Sequence, residues 1–344
     1  MSRRCGARPG PRSARAACRR GGRWSPRRSR CWRPGPPRRL DPGLILAGAG
    51  AVLPRREGQR MQTRQVQTGP GLVFDVSVAG DPAAPLVLLL HGFAVSRHLY
   101  DAQLPALAAA GYFAAAPNQR GYSPDARPDP ADVARYDIEL LIQDALDLAS
   151  ALGGEGRRFH LVGHDWGGSL AWEIAAHWPE RLASLTMLSR PHPGAFARAL
   201  AEDPEQPQRS RHHKAFLEPD AVPKLLAEDC AWLRRRHAAQ GIPPAQTAKH
   251  LSVLGSEPAM AAALAWYRAR GTVHRPIPKI RVPTLFLWGD ADDTVGRMAA
   301  AGTGDFIEAP YRFEILPGVG HYAPDQVPER VNALLLEHLR AHPA

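Results

Sequence analysis

Lysine is scarce in this chain, with 4 residues against 40 Arg. That ratio points to GC-rich coding DNA, which yields Arg, Ala, Gly and Pro in any frame, so the basic balance says little about function. Cysteine is scarce too: Cys5, Cys18, Cys31 and Cys230 in 344 residues exclude a small disulfide-stapled fold. No apolar run is long enough to span a bilayer, which excludes a helical membrane-spanning fold, and no membrane partner is expected.

The net charge of +11 is unevenly held. Residues 1–60 contain 17 Arg, no Lys, and only Asp41 and Glu57, for +15, whereas residues 61–344 contain 27 basic and 31 acidic side chains, for −4. The first segment is Arg, Gly, Pro, Ser and Ala with almost no branched or aromatic residues, so it reads as a disordered extension. Its cysteines lie 13 residues apart with no partner His, which argues against a zinc site. Four readings of it are open: a nucleic-acid-binding arm, an organelle transit peptide, an export signal built on Arg38-Arg39 and GLILAGAGAVL, or translated sequence upstream of a start at Met61. The acidic remainder is not expected to bind nucleic acid, and its single Cys230 fits a reducing, cytoplasmic compartment.

From Leu72 onward strands and helices alternate. LVFDVSVA alternates like a half-buried strand, and LVLLL (86–90) is a continuous apolar run suited to a strand buried on both faces. YFAAA, FHLVG, LASLTML, PTLFLW and RFEIL repeat that pattern between helical stretches, which predicts a mostly parallel α/β sheet with helices on both faces. Residues 191–279 break the alternation with helical patterns only, and predict a helical cap inserted between two halves of a core, 61–190 and 280–344.

The chemistry centres on strand LVG followed by His164-Asp165-Trp166-Gly167-Gly168 and a helix. The form G-x-nucleophile-x-G needs small residues because the turn is sharp and strained, which exposes the central side chain above a helix N-terminus. Here that residue is Asp165, and Ser169 lies four positions past it, which disfavours a serine esterase. A carboxylate is already anionic at neutral pH and can displace a leaving group at an sp³ carbon, giving an alkyl ester. Hydrolysis of that ester needs a histidine base, an acid to orient it, and backbone donors for the oxyanion. His321, in GVGHYAPDQVPERV, and Asp292, in WGDADD, follow in the expected chain order, with Asp293 as the second choice of acid and Asp290 a further competitor. An acid after LASLTML would be another arrangement, but Leu188-Ser189-Arg190 leaves that slot empty. HGFA after LVLLL supplies the donor loop, so Phe93 N–H and Trp166 N–H are the expected oxyanion donors. No cofactor or metal is called for.

With HGF, RGYS, GHDWGG, WGDADD and GHYAPDQVPERV, spread over about residues 70–340, the chain resembles the α/β-hydrolases of the branch that holds epoxide hydrolases and haloalkane dehalogenases. The resemblance implies the α/β-hydrolase fold and an Asp nucleophile. Epoxide hydrolases use cap tyrosines to donate a proton to the ring oxygen, and ALAWYRAR resembles the segment carrying one, which maps that role onto Tyr267. Met260, Ala263, Leu264 and Tyr267 share a helical face, which suits an inward-pointing Tyr or an ordinary core residue. A second tyrosine is expected early in the cap; the matching segment RHHKAFLEP holds His212 and His213 instead, either of which could donate or simply be solvated. A dehalogenase would use the Trp166 indole on a halide, but Phe93 stands where that family commonly has Asn. A ligand receptor on the same fold is a non-catalytic alternative. Apolar cap residues (Leu225, Leu226, Trp232, Leu251, Trp266) imply a small apolar substrate, and the oligomeric state is not specified.

Overall fold

The structure, a computed structural model, describes residues 60–270 and 276–344. The Arg-rich segment with Cys5, Cys18 and Cys31, and every expectation placed on it, lies outside the described residues.

Among the described residues the strands are β1 (Gln62–Gly69), β2 (Leu72–Ala79), β3 (Leu86–Leu90), β4 (Phe113–Pro117), β5 (Phe159–His164), β6 (Leu182–Leu188), β7 (Thr284–Gly289) and β8 (Tyr311–Leu316). They form one eight-stranded sheet in the order β1-β2-β4-β3-β5-β6-β7-β8. β1, β2 and β4 pair antiparallel, and every pairing from β4 through β3 to β8 is parallel. The five central strands β4, β3, β5, β6 and β7 are buried at every residue. This is why they read as unbroken apolar runs.

The core helices are α1 (Gln103–Ala109), α2 (Ile138–Gly153) and α3 (Trp166–His177). Between β6 and β7 lie α4 (Pro193–Glu202), α5 (Gln206–Arg209), α6 (His212–Ala215), α7 (Ala221–Ala239), α8 (Pro244–Leu254) and α9 (Glu257–Arg270). After β7 come α10 (Arg297–Ala301), α11 (Ala323–Gln326) and α12 (Pro328–Ala341). α1 packs with α12 and α2 with α3, and all four touch the sheet. No helix among the described residues is long and apolar enough to cross a membrane.

Three local readings need correcting. β1 carries no strand signal, because QTRQVQTG is an edge strand exposed along most of its length and has no buried face to impose alternation. α7 lies in the stretch expected to be helical throughout but is broken at Ala227, after which Glu228, Asp229 and Cys230 adopt left-handed φ of 51°, 54° and 59°. Arg234 holds the break by donating to the Asp229 carboxylate (2.7 Å) and carbonyl (2.8 Å). α9 buries more than one stripe: Ala259, Ala262, Ala265 and Trp266 are buried together with Met260, Ala263, Leu264 and Tyr267. Periodicity therefore does not decide where Tyr267 points; its ring neighbours do.

Candidate active site

Chain reversals at the carboxyl ends of β3, β5, β7 and β8 bring the site together. Asp165 joins β5 to α3 with φ 50° and ψ −114°, a conformation that costs a non-glycine residue about 1–3 kcal/mol and persists only when its surroundings enforce it. Two glycines do so by letting backbone approach closely. A Cβ on Gly167 would lie 2.3 Å from the Leu90 carbonyl oxygen, and one on Gly92 would lie 2.4 Å from the Asp165 Cβ. The loop after β3 therefore sits directly against Asp165, and the Phe93 N–H donates to Asp165 Oδ1 at 3.0 Å. Trp166, the first residue of α3, places its N–H among the donors that a helix start leaves without intrahelical partners.

His321 sits between two carboxylates. Its Nδ1 is 2.9 Å from Asp292 Oδ2 and its Nε2 is 3.8 Å from Asp165 Oδ2. Asp292 is buried, and its Oδ1 accepts from Thr294 N (2.8 Å), Thr294 Oγ1 (2.6 Å) and Val295 N (3.1 Å). Of the three neighbouring carboxylates only Asp292 meets the histidine. The Asp293 side chain is 47% exposed and paired with Arg236 at 2.9 Å, while Asp290 accepts from Gly318 N at 2.6 Å. Burial alone would raise the Asp165 carboxyl, but the nearby His321 holds it well below the usual carboxylate range. Burial alone would likewise lower His321, but the Asp292 and Asp165 carboxylates lift it well above an ordinary histidine.

Two positioning groups carry no obvious sequence signal beyond their neighbours. His164 Nε2–H donates to the His321 carbonyl at 2.9 Å, and its burial lowers the imidazole to about 4, so it holds the loop as a neutral ring. The Gln240 side-chain oxygen, at the end of α7, accepts from His321 N at 2.8 Å and ties the catalytic loop to the cap. His164 was in plain view inside GHDWGG; Gln240 was not findable from spacing.

On the cap side, the Tyr267 ring packs edge-on against Trp166 (5.0 Å), Phe216 (5.0 Å) and Phe93 (5.5 Å). Burial raises its phenol well above the ordinary value, the Asp165 charge adds to this, and a hydrogen bond from the Trp166 side chain opposes it. His212 and His213 stand nearby, with the His213 ring 5.7 Å from Tyr267. His212 Nδ1 lies 3.1 Å from the Arg209 carbonyl, which can only accept, so Nδ1 carries the proton. Burial lowers this imidazole to about 4; it is neutral at pH 7 and its Nε2 is bare.

Asp165 and Tyr267 line two spaces at once. One is a cavity of about 490 Å³, shared with Arg190, Leu200, Leu217 and His213. The other, of about 20 Å³, is shared with His212, Thr294 and His321. The second has room for about one water molecule. The five cap residues from which an apolar substrate was inferred do not line the larger cavity. Trp266, for instance, faces the core, where its Nε1–H donates to the Arg120 carbonyl at 3.0 Å. Leu200, Pro207 and Leu217 supply the aliphatic lining, beside Arg190, Arg211 and Lys214.

A family model described as the alpha/beta hydrolase family matches residues 87–334. The chain belongs to this family. Among relatives of this hydrolase, epoxide hydrolase A of Mycobacterium tuberculosis is 31% identical over 312 residues, covering 78% of this chain and 94% of the relative. Epoxide hydrolase 3 of Xenopus tropicalis is 29% identical over 317 residues, covering 88% and 82%. Among solved structures, epoxide hydrolase A of Mycobacterium thermoresistibile superposes with a TM-score of 0.68 at 26% identity, covering 83% of this chain and 99% of the other. The superposition covers nearly the whole of that solved chain.

Proposed function

We propose that this hydrolase opens an epoxide to a vicinal diol through an ester on Asp165. The observation that carries the reading is that Asp165 and the Tyr267 ring border both spaces, while His321 borders the smaller one with its Nε2 3.8 Å from Asp165 Oδ2. An oxirane in the larger cavity meets the Asp165 carboxylate at carbon. As the carbon–oxygen bond breaks, the ring oxygen takes the Tyr267 proton, because a phenol held above its ordinary value stays protonated and available to donate.

Ester formation removes the Asp165 charge, one of the forces that raise His321. The imidazolium then falls towards the range of a general base and releases its Nε2 proton to solvent, to be taken up again when the Asp165 charge returns, while Asp292 keeps Nδ1 oriented. Water in the smaller space gives a proton to Nε2 and attacks the ester carbonyl. Phe93 N–H, already on Oδ1, stabilises the oxyanion together with the N–H of Trp166. Collapse expels the diol oxygen, which takes the proton back from His321. The proton remaining on the regenerated carboxyl replaces the one that Tyr267 gave up, so the sum is epoxide plus water to diol.

Two observations separate this reading from halide displacement on the same triad. The Trp166 indole packs edge-on against the Tyr267 ring at 5.0 Å, and Phe93, not Asn, stands at the donor loop. A panel of epoxides and haloalkanes, assayed for diol and for free halide, tests it: diol alone is expected, and halide release without diol would overturn it.

A further inference from the structure

Among the described residues two arginines, Arg120 and Arg190, are buried, and they differ in what answers their charge. Arg120 makes a bidentate pair with Asp144, at 2.6 and 2.7 Å. Arg190 is 6% exposed, yet among the described residues no carboxylate lies within salt-bridge reach of it and its side chain has no hydrogen-bond partner. Its stem packs against the first turn of α3, where a Cβ on Gly168 would lie 2.7 Å from the Arg190 Cβ. Its guanidinium stacks over Phe196, 4.9 Å from the ring centroid, and borders the 490 Å³ cavity with Asp165. A buried guanidinium presenting planar donors to a cavity is a built site for a carboxylate.

The rest of the wall agrees. Arg190, Arg211 and Lys214 line this cavity, and among the described residues that line it Asp165 is the one carboxylate. In the free enzyme the Asp165 charge partly compensates Arg190. Once Asp165 becomes an ester that compensation is gone, and a buried cation without a counter-charge is strongly disfavoured. A substrate that brings its own anion removes the difficulty and also releases the nucleophile from the guanidinium's field.

We infer that Arg190 anchors a carboxylate carried by the substrate, so that the preferred substrates are epoxy acids whose carboxylate sits inside the cavity with the oxirane. The inference rests on the epoxide reading above and deepens it. Arg211 and Lys214, exposed at the same wall, draw the anion in.

The test uses the full chain with a matched pair, an epoxy acid and its neutral primary amide, and with styrene oxide as an unrelated neutral epoxide. The acid is expected to exceed the amide in kcat/KM by about 100-fold. Arg190→Gln should bring that ratio close to one and Arg190→Lys should retain part of it, with folding checked by thermal unfolding. An acid-to-amide ratio of one or less in the unmodified enzyme overturns the inference even if no variant folds. In that outcome styrene oxide is still converted to diol, and the epoxide reading stands. If none of the three epoxides gives diol, the reading and the inference fall together.

Discussion

The sheet edge and the cap contribute to one site in opposite ways. At the sheet edge, Asp165 and Asp292 accept hydrogen bonds from loop backbone, His321 is held by the Asp292 carboxylate and by its own N–H on Gln240, and close glycine contacts leave Asp165 one position to occupy. On the cap side, Tyr267 is held by ring packing, His212 is turned so that its outward nitrogen is bare, and the cavity wall mixes aliphatic groups with cations. The edge is built for one reaction. The cap decides what reaches it.

Variants that break the edge should have the largest effect. Asp165→Ala removes the nucleophile, and diol formation should fall by on the order of 10⁵-fold, read by product assay. His321→Gln should spare ester formation but stop its hydrolysis, lowering turnover by about 10⁴-fold. Intact mass after mixing with substrate should then show one trapped adduct, and failure to trap it would place His321 in the first step. On the cap, Tyr267→Phe should slow the appearance of the ester by about 10²-fold in rapid-quench experiments and leave its breakdown nearly unchanged. Turnover unaffected by this change would make Tyr267 a core residue. His212→Ala should slow ester formation by less than about threefold, since a bare neutral nitrogen gives up no proton; a 10²-fold loss would make it the second donor.

The smallest effect concerns stability where cap and core meet. Asp325 lies 3.0 Å from His250 of α8, and burial, then the Asp101 carboxylate, raise its carboxyl from 3.8 to about 8. The folded state therefore holds a proton that the unfolded chain releases near 3.8. The stabilisation is complete below that value and is lost as pH rises through about 8. Between pH 5 and 8 the Tm of the parent enzyme relative to Asp325→Asn should fall by roughly 2 °C per pH unit, then level off.

What was legible in the sequence follows the same division. The buried strands are unbroken apolar runs, and the elbow must use small residues, so the sheet and Asp165 can be read in one dimension. Asp292 could be narrowed only to a cluster, because the distinction from Asp293 lies in which carboxylate the Thr294 N–H and hydroxyl turn towards His321. β1 left no pattern because it buries no face, and the break in α7 left none because no Gly or Pro marks it and Glu228 is a good helix former. Arg190 was visible only as an empty acid slot after β6. Its meaning depends on a cavity formed by residues far apart in the chain, and the same is true of the lining that replaced the expected apolar one.

One measurement bears most directly on the covalent route through Asp165. With enzyme in excess over an epoxide in ¹⁸O-water, a single turnover should yield diol free of label, while the peptide containing Asp165 gains one ¹⁸O. Label in the first-turnover diol and none in that peptide would mean that water attacks the epoxide directly, and the account built on Asp165 would be wrong.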